Sequence, residues 1–569
     1  MTTFQKNITG RETHTTAFYI FLFLTLVVYA GCFFFPLMDK DAAHHANIAL
    51  NMLQRNNYLD LIDRDKDYLD KPHLLFWASA ASFKLFGINT FAHRFPAFLF
   101  SLLSLFSTYK LAKHLSQQST AMLATALLAT AQAFMFSIID ARMEAPLTAF
   151  IIFGTWQLIR YIDHQRLMDL VWAALGAALA FSTKGWLGPV VIFISVFFYL
   201  WLNNKWRVLA MARTWLFIPL FFIFIAPVLY AYYVQFDLHP EKIIRGRSHR
   251  SGLHFILWDQ LFERSSGFDQ GNSGRNSSYL FLFHTFLWAF FPWSIIAYTA
   301  LIFWLRRMVS QKKWRQPFGF SVISFAFILF AISFSKFKMP HYIIMLLPLA
   351  ALFTAPFIQY ILQRKKWFDV FYPVQLTQAV VVILLCILLG FISFSPANVL
   401  VKILGPVALV VLLVFVFKRV NSSPWMLVRI SCLLSLVLNF FLSYSFFPDI
   451  MVYQGGNEMV KEMKQKNINI PDSSIMLVEL HAHSFDFYRH YNHKVIEAED
   501  FPKAYPSIRD KYFLITPFLS RFLENKGFRI EPLINQPDYN VATVKPRFLN
   551  PTTRKQVLDT LQLVKIYRD

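Results

Sequence analysis

The 569 residues are 56% hydrophobic and only 15% charged, with 64 phenylalanines and a mean hydropathy of +0.43. That apolar excess is more than a water-soluble core needs, so the soluble classes of enzyme and binding module are excluded and the chain reads as an integral membrane protein. A net charge of +22 would fit a nucleic-acid binder, but the basic residues punctuate the apolar runs and form no single patch, which excludes that class too.

A bilayer core of ~30 Å takes about 20 helical residues, and about thirteen runs approach that length. They lie near 17–36, 93–113, 119–137, 143–162, 168–183, 186–203, 214–233, 279–304, 318–335, 341–361, 373–393, 398–417 and 425–446. With Lys6 and Arg11 on the cytoplasmic side, alternate connections carry Lys110 and Lys113, Arg160 and Arg166, Lys205 and Arg207, Arg306 and Arg307, Arg364 to Lys366, and Lys418 with Arg419. This is the positive-inside pattern, and it places 37–92, 138–142, 184–185, 234–278, 336–340, 394–397 and the tail from 447 outside. The first run is too long for a removable signal, and Tyr29 sits where a lipoprotein box has an aliphatic residue, so the run reads as an anchor. Cys32, Cys386 and Cys432 all fall in apolar runs, so no disulfide framework or thiolate metal cluster is expected.

Two outside segments exceed simple loops. Residues 37–92 contain two amphipathic stretches, 41–55 and 72–86, joined by DLIDRDKDYLDK, and read as interfacial helices. The connection 234–278 is basic and rich in glycine and serine and reads as a mobile loop. After Phe446 the composition becomes that of a soluble unit. A helix is expected at 456–466, a strand at 474–479, a helix at 484–490, a strand at 511–516, a helix at 517–526, strands at 528–532 and 540–544, and a helix at 551–560. The order predicts a small α/β domain over 447–569, outside, following a transmembrane domain over 1–446.

Ionisable groups at the edge of a membrane are costly and mark function. Here they gather on the outer side: Asp39, Asp41, His44 and His45; Asp70, Lys71 and His73; Asp140, Arg142 and Glu144; Lys184; Arg264; and Lys336, Lys338 and His341. A carboxylate beside a hydroxyl acts as general base, and clustered cations hold a phosphate as charge leaves with it, so the mixture suits sugar transfer from a lipid phosphate. Taken singly, Asp39, Arg142 or Lys336 also reads as an interfacial anchor. The spacing of Asp41, His44 and His45 on one helix face also describes a metal site, but its only evident partner is His73, and the expectation is no metal and no cofactor.

At these residues the chain resembles the C-type membrane glycosyltransferases, in particular the aminoarabinose transferases that modify lipid A and the protein O-mannosyltransferases. DAAHHANIALNML (41–53) lies over the family's DExRYAEIAREML, YLDKPHLLFW (68–77) over YFEKPPLLYW, and FGINTFAHRFP (86–96) over FGVSEFAARLP. STKGWLGPVV, WDQLFERSS, FFPWS and SKFKMPHYIIMLLPLAAL follow in family order, so the likeness covers most of 15–360.

The resemblance implies an all-α membrane fold and an inverting transfer of a sugar from a polyprenyl-phosphate donor, on the outer face of the cytoplasmic membrane, to a lipid, glycan or protein. It implies catalytic carboxylates at Asp41 and Glu144 and cations for the donor phosphate at Lys71, Lys184, Arg264 and Lys338. Asp70, His44, His45 and His341 are the expected positioning residues. Ala42, His44 and His45 depart from the family's Glu, Arg and Tyr, which bears on the acceptor more than on the chemistry. A transporter of lipid-linked sugars would set its charges at mid-membrane on broken helices within related halves, and neither feature is visible. A polymer ligase using two lipid-linked substrates shares most of the same residues.

Overall fold

The computed structural model describes residues 11–244, 246, 248–260, 278–311, 316–335, 338–394 and 425–568. Most of them are helical. Among the described residues, six helices are long and apolar enough to cross a membrane: Thr90–Leu115, Leu167–Lys184, Ala212–Asp237, Pro340–Leu362, Lys365–Gly390 and Leu427–Met451. Two bent pairs, Phe18–Phe34 with Asp39–Gln54 and Gln118–Ala129 with Gln132–Ile139, bring the number to at most eight, if each pair is one broken span rather than a re-entrant loop. The run expected at 398–417 lies outside the described residues.

The first bend, of 74°, follows from Pro36. A residue before proline is driven out of the helical region, and Phe35 is extended at φ −121°, ψ 156°. The chain then re-enters a helix at His44–Gln54 and continues through a short hairpin, Ile62–Asp63 against Lys66–Asp67, to the helix Leu74–Phe86. The single span expected at 279–304 is instead two helices, Phe281–Ala289 and Ser294–Ser310. Pro292 between them has no N–H to continue the ladder. The carbonyls exposed at the break are taken by Gln132 N and by Gln375 Nε2, each at 3.3 Å, which satisfies polar backbone where no water is at hand.

The helices Glu144–His164 and Leu167–Lys184 are antiparallel neighbours and touch backbone to backbone. A Cβ on Gly176 would lie 2.9 Å from the Gly154 Cα, so the absence of side chains at this crossing sets how closely the two helices approach.

The C-terminal segment folds around a five-stranded sheet in the order Lys494–Ile496, Ile475–Val478, Tyr512–Ile515, Asp559–Arg568, Phe528–Asp538. The first two pairings are parallel and the last two antiparallel. Helices at Gly455–Gln465, His483–Arg489 and Pro517–Glu524 coincide with those expected. The helix expected at 551–560 is a correction: only Pro551–Arg554 is helical, and Asp559–Arg568 becomes a strand paired on both edges. Its Leu561, Leu563, Val564 and Ile566 are buried against the helices on the two faces, so tertiary packing overrides a proline-capped start that looks helical. No strand forms at 540–544, while Lys494–Ile496 and the helix Phe501–Ile508 were not anticipated.

One buried cation ties the segment after the first helix to the helices behind it. Arg94 is fully buried and donates to four carbonyls: Ile139 at 2.7 Å, Phe35 at 2.6 Å, Pro36 at 2.9 Å, and Cys32. Its guanidinium also lies 4.4 Å from the Phe35 ring. Truncation leaves those acceptors dry, at about 1–3 kcal/mol each. Arg94→Ala is therefore expected to lower stability by at least about 3 kcal/mol, read as a large drop in melting temperature of the detergent-purified protein, with Arg94→Lys recovering only part of the loss.

Candidate active site

The site begins with two oppositely charged helix ends. Glu144 is the first residue of Glu144–His164 and Lys184 the last of Leu167–Lys184. A helix N-terminus favours an anion and a C-terminus a cation, and because the helices are antiparallel both favoured charges arrive at the same place. Lys184 Nζ donates to Glu144 Oε1 at 2.6 Å, the side chains being 2% and 5% exposed. The ammonium also sits 4.4 Å from the centre of the Tyr342 ring.

The pair continues outward. His341 Nε2 lies 3.5 Å from Glu144 Oε1, and its Nδ1 accepts from Arg142 Nη1 at 3.2 Å. Arg142 then reaches Asp41 through Nη2 at 2.8 Å and Asp140 through Nε. Between the last two, Ala141 is held at φ 44°, a left-handed conformation that a residue with a Cβ adopts at a cost and that clusters at functional sites. It lets Asp140 and Arg142 meet across a single turn. Burial raises the Asp140 carboxyl above its ordinary range, opposed by the Arg142 charge.

Asp41, Arg142, His341, Glu144 and Lys184 thus form one continuous polar chain from a half-exposed carboxylate to a buried cation. Asp41, at 44% exposed, is the most open of the five. Asp70 and Lys71 pair with each other, and Gln260 Nε2 donates to the Asp70 carbonyl at 3.5 Å. The same Gln260 places its Oε1 2.7 Å from where a Cβ on Gly185 would stand, and Gly185 has φ 63°. Only glycine fits there, so the Asp70 loop is linked by Gln260 to the residue following Lys184.

Other expected members stand apart. Lys338 is buried and donates to the carbonyls of Ser333 at 2.7 Å and Ser278 at 3.1 Å, with Tyr279 beneath it; among the described residues it has no ion pair. Arg264 and Lys336 lie outside the described residues. His44 turns to Asp63 at 2.8 Å, and His45 is buried edge-on to Phe76. Burial first, then the neighbouring His44 and Lys71, hold the His45 imidazole well below its ordinary pKa. His73 bonds the Leu59 carbonyl at 2.8 Å, and burial pushes it down to about 4. The metal set drawn from Asp41, His44, His45 and His73 is therefore not brought together. Arg142 and Tyr342 are the members the motif words did not assign; DARME, an arginine between two acids at a span end, is the signal for the first.

The model for the dolichyl-phosphate-mannose-protein mannosyltransferase family matches residues 70–231, which include Asp70, Lys71, Arg142, Glu144 and Lys184. The crystal structure of ArnT from Cupriavidus metallidurans superposes over 97% of this chain and 98% of its own, with a TM-score of 0.73 at 14% identity. The fold is that of ArnT. The same ArnT has also been crystallised bound to undecaprenyl phosphate. An undecaprenyl phosphate-alpha-4-amino-4-deoxy-L-arabinose arabinosyl transferase of Pseudomonas paraeruginosa is 26% identical over 60% of this chain and 60% of its own length. An uncharacterized protein of Aquifex aeolicus is 26% identical over 56% of this chain and 59% of its own. The chain thus spans under two thirds of these curated relatives, and it resembles the aminoarabinose transferases.

Within this ArnT fold the Glu144–Lys184 pair has a direct stability test. Glu144→Gln leaves a buried ammonium without its anion, at a cost of about 3–5 kcal/mol. Adding Lys184→Met removes the orphan charge, and the double variant is expected to regain most of the melting temperature.

Proposed function

We propose that this protein is an inverting glycosyltransferase that moves a sugar from a polyprenyl-phosphate donor to an acceptor at the outer face of the cytoplasmic membrane. The observation that carries the reading is the chain of five side chains from Asp41 to Lys184, which joins an accessible carboxylate to buried cations at the outer helix ends. The relatives named as arabinosyl transferases and the ArnT bound to undecaprenyl phosphate support the donor class.

In this reading the transmembrane domain is 1–446, with about thirteen spans. The N-terminus is cytoplasmic, and 447–569 is a separate α/β domain outside. The lipid tail of the donor stays in the bilayer, and its phosphate meets Lys184, Lys338, Lys71 and Arg264. Asp41 takes the proton of an acceptor hydroxyl while the acceptor oxygen attacks the anomeric carbon. The bond from that carbon to the phosphate oxygen breaks on the opposite side, and the electron pair leaves with the polyprenyl phosphate, whose added charge the cations stabilise. Glu144 holds Lys184 and His341 in place, Arg142 fixes Asp41, and Asp70, His44 and His45 frame the acceptor side. The transfer step needs no cofactor.

Asp41→Asn keeps the shape and removes the base. Assayed with undecaprenyl-phosphate sugars, it is expected to lose about 10²–10⁴-fold of transfer to a hydroxyl acceptor, and far less to a phosphate acceptor, which carries no proton to remove. Undiminished transfer to a hydroxyl would remove Asp41 from the base role.

A further inference from the structure

We infer that His44, Asp63 and His483 form a zinc site that fastens the first outer loop to the C-terminal segment. The inference stands on these three residues and does not depend on the transferase reading. They come from three elements far apart in sequence: His44 opens the helix His44–Gln54, Asp63 sits on the short hairpin, and His483 opens the helix His483–Arg489. One ligand atom from each lies within 4.8 Å of the other two.

His44 Nε2 and Asp63 Oδ2 are 2.8 Å apart, a hydrogen-bonding separation, and part by only about 0.5 Å to stand as neighbouring ligands on a tetrahedral zinc, roughly 3.3 Å apart given bonds of about 2.0–2.1 Å. The rings of His44 and His483 are stacked at 4.3 Å. His483 Nδ1 and Asp63 Oδ1 are both buried without a hydrogen-bond partner. Two such atoms in one cluster need an explanation, and a cation bound among them supplies it. Two imidazoles and a carboxylate are a donor set that zinc accepts, with a fourth position left for water.

The surroundings hold the ligands from behind. The His483 carbonyl accepts from Asn47 Nδ2 at 2.8 Å, one turn along the His44 helix. Next to Asp63, Arg64 donates to Asp486 Oδ2 at 3.1 and 2.8 Å. His481 is taken up by Arg64 and is not a fourth ligand. Rings and backbone are thereby oriented before the ion arrives, as outer-shell partners of zinc ligands do. Asp41 lies one turn before His44, so the ion would also steady the helix start that presents the half-exposed carboxylate.

The test uses the full chain, purified in detergent on a tag without histidine, stripped with EDTA and then given zinc sulfate. Bound zinc is measured by mass spectrometry after desalting, and melting by tryptophan fluorescence. The wild type is expected to retain one zinc per chain and to melt several degrees higher with it. Asp63→Asn and His483→Gln are expected to lose both the ion and the shift, while the surface variant His490→Gln keeps them. A wild type that retains no zinc and shows no shift overturns the site, as do variants that bind zinc like the wild type. Should the variants fail to fold, X-ray absorption at the zinc edge of the wild type decides: imidazole nitrogens with oxygen agree, and an all-oxygen or sulfur shell overturns the assignment.

Discussion

A cation taken out of water must bring its anion with it, and the end of this molecule that carries Asp41 is organised by that requirement. Lys184 is stripped of water, so Glu144 has to be there. The two helices supply each other's partner because their dipoles point oppositely and their ends coincide. The close glycine crossing at Gly154 and Gly176 holds them together farther down. Once Glu144 is fixed, His341 meets the same carboxylate, Arg142 donates to His341, and Arg142 carries the network to Asp41 at the surface. Under the proposed function, a donor phosphate would meet cations already desolvated, with little reorganisation as charge develops.

The loop bearing Asp41 is positioned from two sides. Arg94 grips the backbone at Cys32, Phe35 and Pro36 just before it. The C-terminal segment grips it from the outside: Ser484 donates twice to Asp39 at 2.6 Å, Gln454 bridges Leu37 and Asp39, and the Tyr488 hydroxyl meets Leu37 N at 2.9 Å. Behind these contacts Asp486 joins Arg64 to His493, whose ring is buried yet held above its ordinary pKa by Asp472 and Asp486. The tail is thus part of the mounting of the outer loop.

Much of this was legible because charge stands out in an apolar sequence. Asp41, Glu144, Lys184 and His341 were visible as ionisable residues at span ends, and the structure joins them through Arg142. Arg142 itself was harder to weigh, since an arginine flanking a span is ordinarily an anchor; its role comes from a turn at Ala141 that no periodicity announces. Lys338 was grouped with the others by sign of charge but spends its protons on backbone carbonyls. The partners of Asp39 and Arg64, Ser484 and Asp486, lie more than 400 residues away, beyond the reach of any local pattern. The strand Asp559–Arg568 was hidden for a related reason: its conformation is set by the strands on its two edges, while a proline and two threonines upstream look like a helix start.

Under the proposed function, the network around Glu144 and Lys184 receives the phosphate of a polyprenyl-phosphate donor. A structure of the full chain with undecaprenyl phosphate bound tests it most directly. The phosphate is expected within hydrogen-bonding distance of Lys184, with the lipid chain leaving sideways toward the bilayer. A phosphate seated elsewhere, for example in the groove between Phe34, Tyr488 and Lys461, with the Asp41 to Lys184 network untouched, would contradict it.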